Sequence, residues 1–490
     1  MQKIVHGTCI DLSSEGKGVV KDHNNVIFVD GLFPNEEADI EVLYHRAGVN
    51  FGKVKKLYKL SKDRIQPKCK ICTSCGGCQY QQIDYKAQLV FKTNRVKNAL
   101  KRIGKVDVEV KPCLGAKNPY NYRNKIQVPF SKDRNGKVIY GFYKENSHII
   151  MPVKECAIEN KKAAPILWDI KLLLEKHKIS TYNEDTGKGI LRYVLIRTSL
   201  HFDELMVVLV TSVMNFPGQR NFIDELIKLH PEITTVVENV NSRHTNVILG
   251  EHEKVLYGKG YIQDKICDLT FNISASSFFQ VNPEQVEVLY KTALNLLNDD
   301  KNQVVLDAYA GVGTIGLIAS SKAKHVYSVE LNKFASKNAV ENGKRNNINN
   351  VTFTCDDAGK YISSFDGELD VVIMDPPRKG SDEVFLDTLI NKKVPNVIYV
   401  SCDPETLARD INYLSKYYNV TYVQPVDMFP MTCHVETVVS LNLRNGSLNW
   451  NNFKKNQKNA DKPIISWYII IARWLKCVKN YIPENYILKE

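Results

Sequence analysis

From Asp268 to about Leu443 the chain alternates short β-branched runs with stretches of helical period, and this alternation restricts the fold more than any other feature. A helix is predicted at Pro283–Leu297, then a strand at Gln303–Asp307 and a glycine-rich turn opening a second helix. Strand His325–Glu330, helix Lys333–Asn346 and strands Val351–Cys355, Leu369–Asp375 and Asn396–Ser401 follow, before a helix at Pro404–Tyr417. Strands and helices in this order predict a doubly wound, mostly parallel sheet with helices on both faces. Such sheets bind ligands beyond the carboxyl ends of their strands, so the residues that end each strand carry the functional information.

Three strand ends stand out. The first reads VLDAYAGVGTIGL and holds Gly311-x-Gly313-x-x-Gly316 between a strand and a helix, with Glu330 ending the next strand. Taken literally this is a dinucleotide fingerprint, in which glycines admit a nucleotide and the acid accepts ribose hydroxyls. NAD is therefore the competing ligand and an NAD-linked oxidoreductase the competing enzyme. Asp307 argues against NAD: it precedes the glycines, where it suits the charged end of S-adenosyl-L-methionine better than a pyrophosphate. The second strand end is Met374-Asp375-Pro376-Pro377-Arg378, a rigid acidic turn of the type found in methyltransferases acting on planar nitrogenous rings. The third is NVIYVSCDPETLARD. Asp403 is placed to cap a helix, with Pro404 at its first position and Glu405 in its first turn. Cys402 then lies at a strand end against a positive helix terminus, where a thiolate is stabilised. A lone cysteine is more often a structural residue, but the capping chemistry here favours a nucleophile.

At 490 residues the chain has room for two to four domains. Lys and Arg number 66 against 54 Asp and Glu, a net charge of +12 that suits a polyanionic partner. The start lacks the pattern of a secretory signal, and the apolar run Ile464–Ile471 is broken by Arg473 and Lys476 before it could span a membrane. An amphipathic C-terminal helix, no membrane contact and a cytoplasmic location are expected. Of 12 cysteines, Cys69, Cys72, Cys75 and Cys78 fall at every third residue. In a long chain without an export signal this reads as a zinc or iron–sulfur site, with Cys156 the candidate for a distant further thiolate.

Residues 1–60 alternate short β-rich runs with Gly, Asn and Asp turns, which predicts a small barrel whose exit strand is basic at Lys53, Lys55, Lys56 and Lys59. GKGVV, VIFVDGLFPNE and that basic strand resemble a TRAM domain, an OB-like RNA-binding barrel. Residues 61–267 follow as a central mixed α+β domain, helical after Gln82 with basic residues outward. It has further helices at Pro165–Lys176 and Asn221–Leu229. Arg123, Lys125, Arg192 and Arg197 fall among Tyr120, Tyr122 and Tyr193, a mixture that suits single-stranded RNA. Residues 268–443 form the Rossmann-like domain, and 444–490 are a tail without an assigned role.

SerCysAspProGluThrLeuAlaArgAsp at 401–410, HisValGluThrVal at 434–438, AspProProArg at 375–378 and PhePheGlnValAsn at 278–282 resemble the RNA uracil-5-methyltransferase family. The cysteines and the barrel resemble its 23S rRNA branch, with tRNA the alternative target. The resemblance implies Cys402 as nucleophile and Glu436 as base. It implies Gln280, Tyr309, Glu330 and Asp375 around S-adenosyl-L-methionine, with Asp357 toward the adenine. It also implies a [4Fe-4S] cluster on Cys69, Cys75, Cys78 and Cys156, with Cys72 extra to the family pattern. The chemistry that follows is thiolate addition at uracil C6, methylation at C5 and removal of the C5 proton. Apolar neighbours should raise the pKa of Glu436. The target base must be flipped out of its stack, and the protein is expected to act as a monomer.

Overall fold

The computed structural model describes residues 3–23 and 25–444. The expected C-terminal helix therefore lies outside the described residues. Strands β1 (Ile4–Leu12), β2 (Gly18–Asp22), β3 (Asn25–Asp30), β4 (Glu37–Arg46) and β5 (Val49–Lys59) close a barrel in the order β1-β2-β3-β5-β4. Period-2 alternation turns Val5, Cys9, Val20, Ile27, Val29 and Ile40 into its core. The fully buried Glu36 accepts from Arg64 Nε at 2.6 Å and Nη2 at 2.8 Å, which ties the chain leaving the barrel back to its base. Lys53, Lys55, Lys56 and Lys59 are exposed along β5.

A single turn, α1 (Cys72–Cys75), precedes the long helix α2 (Tyr85–Arg102), which Asp84 caps by accepting from the Lys86 N–H. The central sheet comprises β6 (Lys125–Lys132), β7 (Val138–Tyr143), β8 (Ile150–Pro152), β9 (Leu191–Thr198), β10 (Leu205–Thr211), β11 (Thr235–Val240) and β12 (His252–Tyr257). Helices α3 (Ala163–Lys176) and α4 (Gln219–Leu229) connect them. The order is β12-β11-β10-β9-β6-β7-β8, antiparallel except for the parallel pair β10–β11. Helices α3 and α4 cover one face through Ile166, Ile170, Phe222 and Leu226. Leu195, Met206, Val208 and Val210 on the other face join the core of the C-terminal sheet. Burial on both faces explains why β10 is apolar at almost every position and does not alternate.

Hairpin β13 (Tyr261–Ile266) and β14 (Leu269–Ser274) spans the 267/268 junction and packs between the two sheets. Beyond it run α5 (Pro283–Leu294), β15 (Val304–Ala308), α6 (Thr314–Ala319), β16 (His325–Glu330), α7 (Lys333–Arg345) and β17 (Val351–Cys355). These are followed by α8 (Ala358–Ser364), β18 (Val371–Met374), α9 (Glu383–Asn391), β19 (Asn396–Ser401), α10 (Pro404–Leu414), β20 (Tyr418–Val426) and β21 (Glu436–Leu443). The sheet order is β17-β16-β15-β18-β19-β21-β20. Strands β15 to β19 are parallel, and β21 enters antiparallel to both β19 and β20. The order reverses between β15 and β18, where an open α/β sheet forms its ligand crevice.

Two findings depart from the expected arrangement. Helix α2 packs on α10, burying Val96, Ala99 and Leu100 with Leu407, Ala408 and Ile411, so this early helix belongs to the core of the C-terminal sheet. Its basic residues are not all outward: Lys92 is fully buried in an ion pair with the equally buried Asp427, and donates to Phe429 O at 3.1 Å. Tyr85 Oη donates to the same carboxylate at 2.8 Å. Removing one member of such a pair strands the other charge in low dielectric, which costs about 3–5 kcal/mol. Asp427→Asn is therefore expected to lower unfolding stability by about that amount in a denaturant titration, whereas Asp107→Asn, in an exposed pair with Lys101, should change it by well under about 1 kcal/mol.

Candidate active site

Strand β19 buries Val397 through Ser401 and then meets the helix cap: Asp403 Oδ1 accepts from the N–H groups of Glu405 at 3.1 Å and Thr406 at 2.9 Å. Cys402 sits at that junction, half-buried. The antiparallel register pairs Ser401 with Thr437, so one step further Cys402 and Glu436 oppose each other. Met374 pairs with Tyr399, which sets Asp375 at the neighbouring strand end. Three strand ends thus bring a thiol and two carboxyls together, with Arg378 of the 375–378 turn as the nearby cation.

The electrostatics of this group are those of a crowded acid site. Burial raises Glu436 to about 8, assisted by Asp375 and opposed by Arg378. Burial alone raises Asp375 to about 7. Cys402 is pushed up to about 12, first by burial and then by Glu436 and Asp375, with Arg378 acting the other way. Desolvation and two acidic neighbours thus act against the helix terminus, which was expected to stabilise a thiolate. His434 is held down near 4 by burial and by Arg378, Arg95 and Lys92. A site of this kind favours a cationic ligand, since one added positive charge eases every acid in it.

The glycine turn lies on the same sheet edge. Tyr309 adopts φ +65, its hydroxyl lies 3.0 Å from Ser381 Oγ and its ring packs at 5.5 Å on Phe385. Gly311 also has positive φ, and a Cβ there would meet no atom within 4 Å, leaving open space against the backbone. Glu330 accepts from Gly311 N at 2.8 Å and Asn332 N at 2.7 Å, so its carboxylate shapes the turn. Asp307, expected near the charged end of the methyl donor, uses one carboxylate oxygen within the fold. Its Oδ2 accepts from Gly316 N at 2.9 Å and Ser328 Oγ at 3.2 Å, and its buried Oδ1 has no partner among the described residues. Gly316 is required there, since a Cβ would stand 2.6 Å from that carboxylate. Asp357 caps α8 and borders, with Lys360 and Asp382, a hollow of about 600 Å³. The Gln280 side chain hydrogen-bonds the buried Tyr290, whose phenol is raised by burial and by Asp375.

Sequence reasoning missed the groups that hold this site in place. Asp410 Oδ2 accepts from Ser381 N at 2.9 Å and Tyr399 Oη at 2.7 Å, pinning the turn after Arg378 onto α10. Arg409 Nη2 donates to Lys379 O at 2.9 Å in the same junction. The loop from Asp427 to Val435 is held from several sides. Tyr80 N donates to Met431 O at 2.9 Å, Met431 N to Gln88 Oε1 at 3.2 Å and Cys433 N to Gln79 Oε1 at 3.3 Å. Tyr122 Oη donates to Pro430 O at 3.1 Å and Arg95 Nη1 to Cys433 O at 2.9 Å. Polar residues on an otherwise amphipathic helix were the available signal. Arg192 and Arg197, expected to face RNA, are buried: Arg192 donates to Asn241 O and Arg243 O, and Arg197 to Ala275 O and Ser277 O.

The thiols of Cys69, Cys72, Cys75, Cys78 and Cys156 share one neighbourhood. Cys78 and Cys156 pack on Tyr122, Ile158 and Met431. Burial and neighbouring thiols raise Cys78 to about 11, and burial with Glu159 raises Cys156. Among the described residues no three His, Cys, Asp or Glu side chains stand where they could hold a single metal ion.

Residues 219–444 match the family model described as tRNA (Uracil-5-)-methyltransferase. A Halalkalibacterium halodurans protein named as an uncharacterized RNA methyltransferase is 42% identical over 447 residues, 90% of this chain and 97% of that protein. One of the same name from Staphylococcus aureus is 39% identical, over 89% of this chain and 98% of its own length. The chain belongs to the RNA uracil-5-methyltransferase family. Among solved structures, this RNA methyltransferase is similar to the Pyrococcus abyssi tRNA (uracil-54, C5)-methyltransferase in complex with S-adenosyl-L-homocysteine. The TM-score is 0.73 at 29% identity, covering 89% of this chain and 100% of that one.

A carboxyl raised by the fold contributes stability that is complete below its unfolded pKa near 4.5 and lost as pH rises through about 8. Glu436→Gln cannot ionise. Thermal unfolding of this variant should therefore match the native chain near pH 4.5 and show it more stable above pH 8, by on the order of 2–4 kcal/mol.

Proposed function

We propose that this RNA methyltransferase transfers a methyl group from S-adenosyl-L-methionine to C5 of a uridine in 23S rRNA. The opposition of Cys402 and Glu436 across β19 and β21, beside Asp375, carries this reading. Tyr309, the open backbone at Gly311, Glu330, Asp357, Gln280 and Asp375 are the residues we assign to the methyl donor. Their fit rests on the uncrowded glycine and on the acid-rich edge, which suits a sulfonium. The donor supplies an electrophilic methyl group.

Cys402 adds through sulfur to C6 of the uracil, and the electron pair moved onto C5 and O4 makes C5 nucleophilic enough to accept the methyl. Glu436 then removes the C5 proton, and the carbon–sulfur bond breaks to restore the ring and release Cys402. The thiol must first lose its own proton. Arg378 and a cationic ligand both lower its pKa, and both favour the ionised Glu436 needed later. The base reaches this edge only when flipped out of its stack.

The barrel and the cysteine-bearing segment support the rRNA target. The resemblance to a solved tRNA (uracil-54, C5)-methyltransferase favours tRNA as the second reading. We assign Cys69, Cys75, Cys78 and Cys156 to a [4Fe-4S] cluster. These four thiols would hold the cluster, and the packing of Cys78 and Cys156 in one apolar group is what supports the assignment. Such a cluster would supply a fixed anchor for the segment. We read residues 1–60 as a TRAM-like barrel, 61–267 as the cluster and RNA-binding region and 268–443 as the methyltransferase domain, in a cytoplasmic monomer. No helix among the described residues is long and apolar enough to cross a membrane.

Incubation with 5-fluorouracil-substituted rRNA and the methyl donor should trap a covalent complex, visible as a denaturant-stable band. Cys402→Ala should abolish both band and turnover; a band that persists rules out the assigned nucleophile. Glu436→Gln should form an adduct with ordinary RNA and release it at least about a hundredfold more slowly. Anaerobically purified protein should carry iron and acid-labile sulfide, and zinc alone would refute the cluster.

A further inference from the structure

A hollow of about 970 Å³ opens between the cysteine-bearing segment and the central sheet, away from Cys402 and Glu436. Lys68 to Ile71, Tyr120 and Asn121, the β7 stretch Tyr140 to Phe142, the 152–157 segment and the first turns of α3 form its walls, so Cys69 and Cys156 of the cysteine set border one side and Trp168 another. Two flat aromatic faces stand in those walls. Trp168 is 42% exposed on a helix whose other large apolar residues mostly face the core. Tyr120 carries Lys68 Nζ at 3.9 Å over its ring, and Trp168 has Lys171 at 5.2 Å and Lys154 at 5.8 Å.

Lys68, Lys70, Lys154 and Lys161 all line the hollow, and among the described residues none of them forms an ion pair with a carboxylate. Against these cations stand Glu155 and Glu159. Glu159 faces Arg123, which offsets its charge, and the four lysines outnumber the two carboxylates. The surplus is positive, and it is arranged around ring faces. An acidic peptide would use the lysines alone. A nucleotide uses both, its phosphate pairing with ammonium groups and its base stacking on an aromatic plane.

The location favours the same occupant. Tyr120 and Asn121 lead directly to Asn124, whose Nδ2 donates to Gln280 O at 3.1 Å and whose N–H donates to Val281 O at 2.9 Å. The four residue steps from Tyr120 to Asn124 span at most about 14 Å when extended. The hollow therefore lies within a few nucleotides' length of Gln280, one of the residues assigned to the methyl donor.

We propose that this hollow is a second nucleotide site, which takes an unpaired nucleotide of the RNA substrate distinct from the target uridine. Trp168 or Tyr120 stacks on its base, and Lys154, Lys161, Lys68 and Lys70 hold the adjoining phosphates. The assignment rests on the reading of the chain as an enzyme acting on single-stranded RNA segments. It gives the central region a role that the buried Arg192 and Arg197 do not fill.

The test uses full-length, anaerobically purified protein with Trp168→Ala and Lys154→Glu, two exposed positions outside the cysteine set. Binding of a labelled single-stranded RNA, followed by fluorescence anisotropy, should weaken about tenfold in Trp168→Ala, the loss expected for one stacked base. Methylation of the folded substrate should show a matching rise in KM with kcat unchanged. A minimal RNA holding only the target and its nearest neighbours should be methylated equally by native and variant proteins. Substrate carrying 4-thiouridine near the target should cross-link to the peptides bearing Trp168 or Tyr120. Unchanged affinity and absence of those cross-links would overturn the site, as would displacement of the RNA by polyglutamate at equal charge. If RNA binding depends on Trp168 but uridine is never methylated, the proposed reaction falls and the second site stands.

Discussion

Strand β21 is inserted between β19 and β20 and runs against β19, and the proposed chemistry depends on that pairing. A one-residue slip would turn every side chain of β21 to the opposite face, carrying Glu436 away from Cys402. The register is secured by burial, since Thr437 through Ser440 lie inside the sheet and β19 is apolar on both faces. It is secured a second time at the strand entrance. The backbone of the Asp427–Val435 loop accepts hydrogen bonds from Tyr122 and Arg95 and donates to Gln79 and Gln88, and the loop leaves β20 at the buried Lys92–Asp427 pair. Helix α2 contributes Gln88, Lys92 and Arg95 on one face, so a helix 335 to 343 residues distant in sequence helps determine where the carboxyl of Glu436 stands.

Such rigidity has a chemical reason. A carboxyl raised to about 8 beside another raised to about 7 and a thiol raised to about 12 is an unfavourable arrangement in the folded chain. Solvent would relieve it if the strand ends could separate. Packing prevents this: Asp410 fixes the turn after Asp375 and the loop clamp fixes Glu436, while the dry floor is completed by Tyr290. The strain is local, and it is held by interactions whose own charges are paired or fully hydrogen-bonded. A positively charged ligand relieves the acids, which gives the site a preference for the charge type that the proposed reaction requires.

The mostly parallel sheet was legible because each element is local: a β-branched run, a glycine turn, a helix cap. Positions such as Cys402, Asp375 and Gly311 could be placed on the sheet edge from these signals alone. The barrel was legible for the same reason. The pairing of α2 with α10 was not, because amphipathic spacing reports that a helix has a buried face without naming what buries it. Lys92 reads as one more surface lysine until Asp427 is brought to it. Arg192 and Arg197 misled in the reverse direction, since a strand covered on both sides buries every residue and turns cations into donors for carbonyl groups. Cys402 shows a further limit: capping geometry is visible in sequence, but desolvation and acidic neighbours from other strands are not, and both push its thiol up.

The same clamp bears on why a cysteine-bearing segment accompanies the catalytic sheet at all. Tyr80 and Gln79 lie directly after Cys78, and both bond the loop that leads to Glu436. Met431 packs with Cys78 and Cys156 in one apolar group, and its own φ of +70 marks the point where the loop bends around them. The region spanning Cys69 to Gln82 contains little regular structure, one helical turn among bends. A segment with so few backbone hydrogen bonds of its own is a poor support unless something joins its ends, and closing a loop through several thiolates is an effective way to remove its freedom. The position of Glu436, the proposed base, would then depend on the integrity of the proposed cluster site through Gln79 and Tyr80.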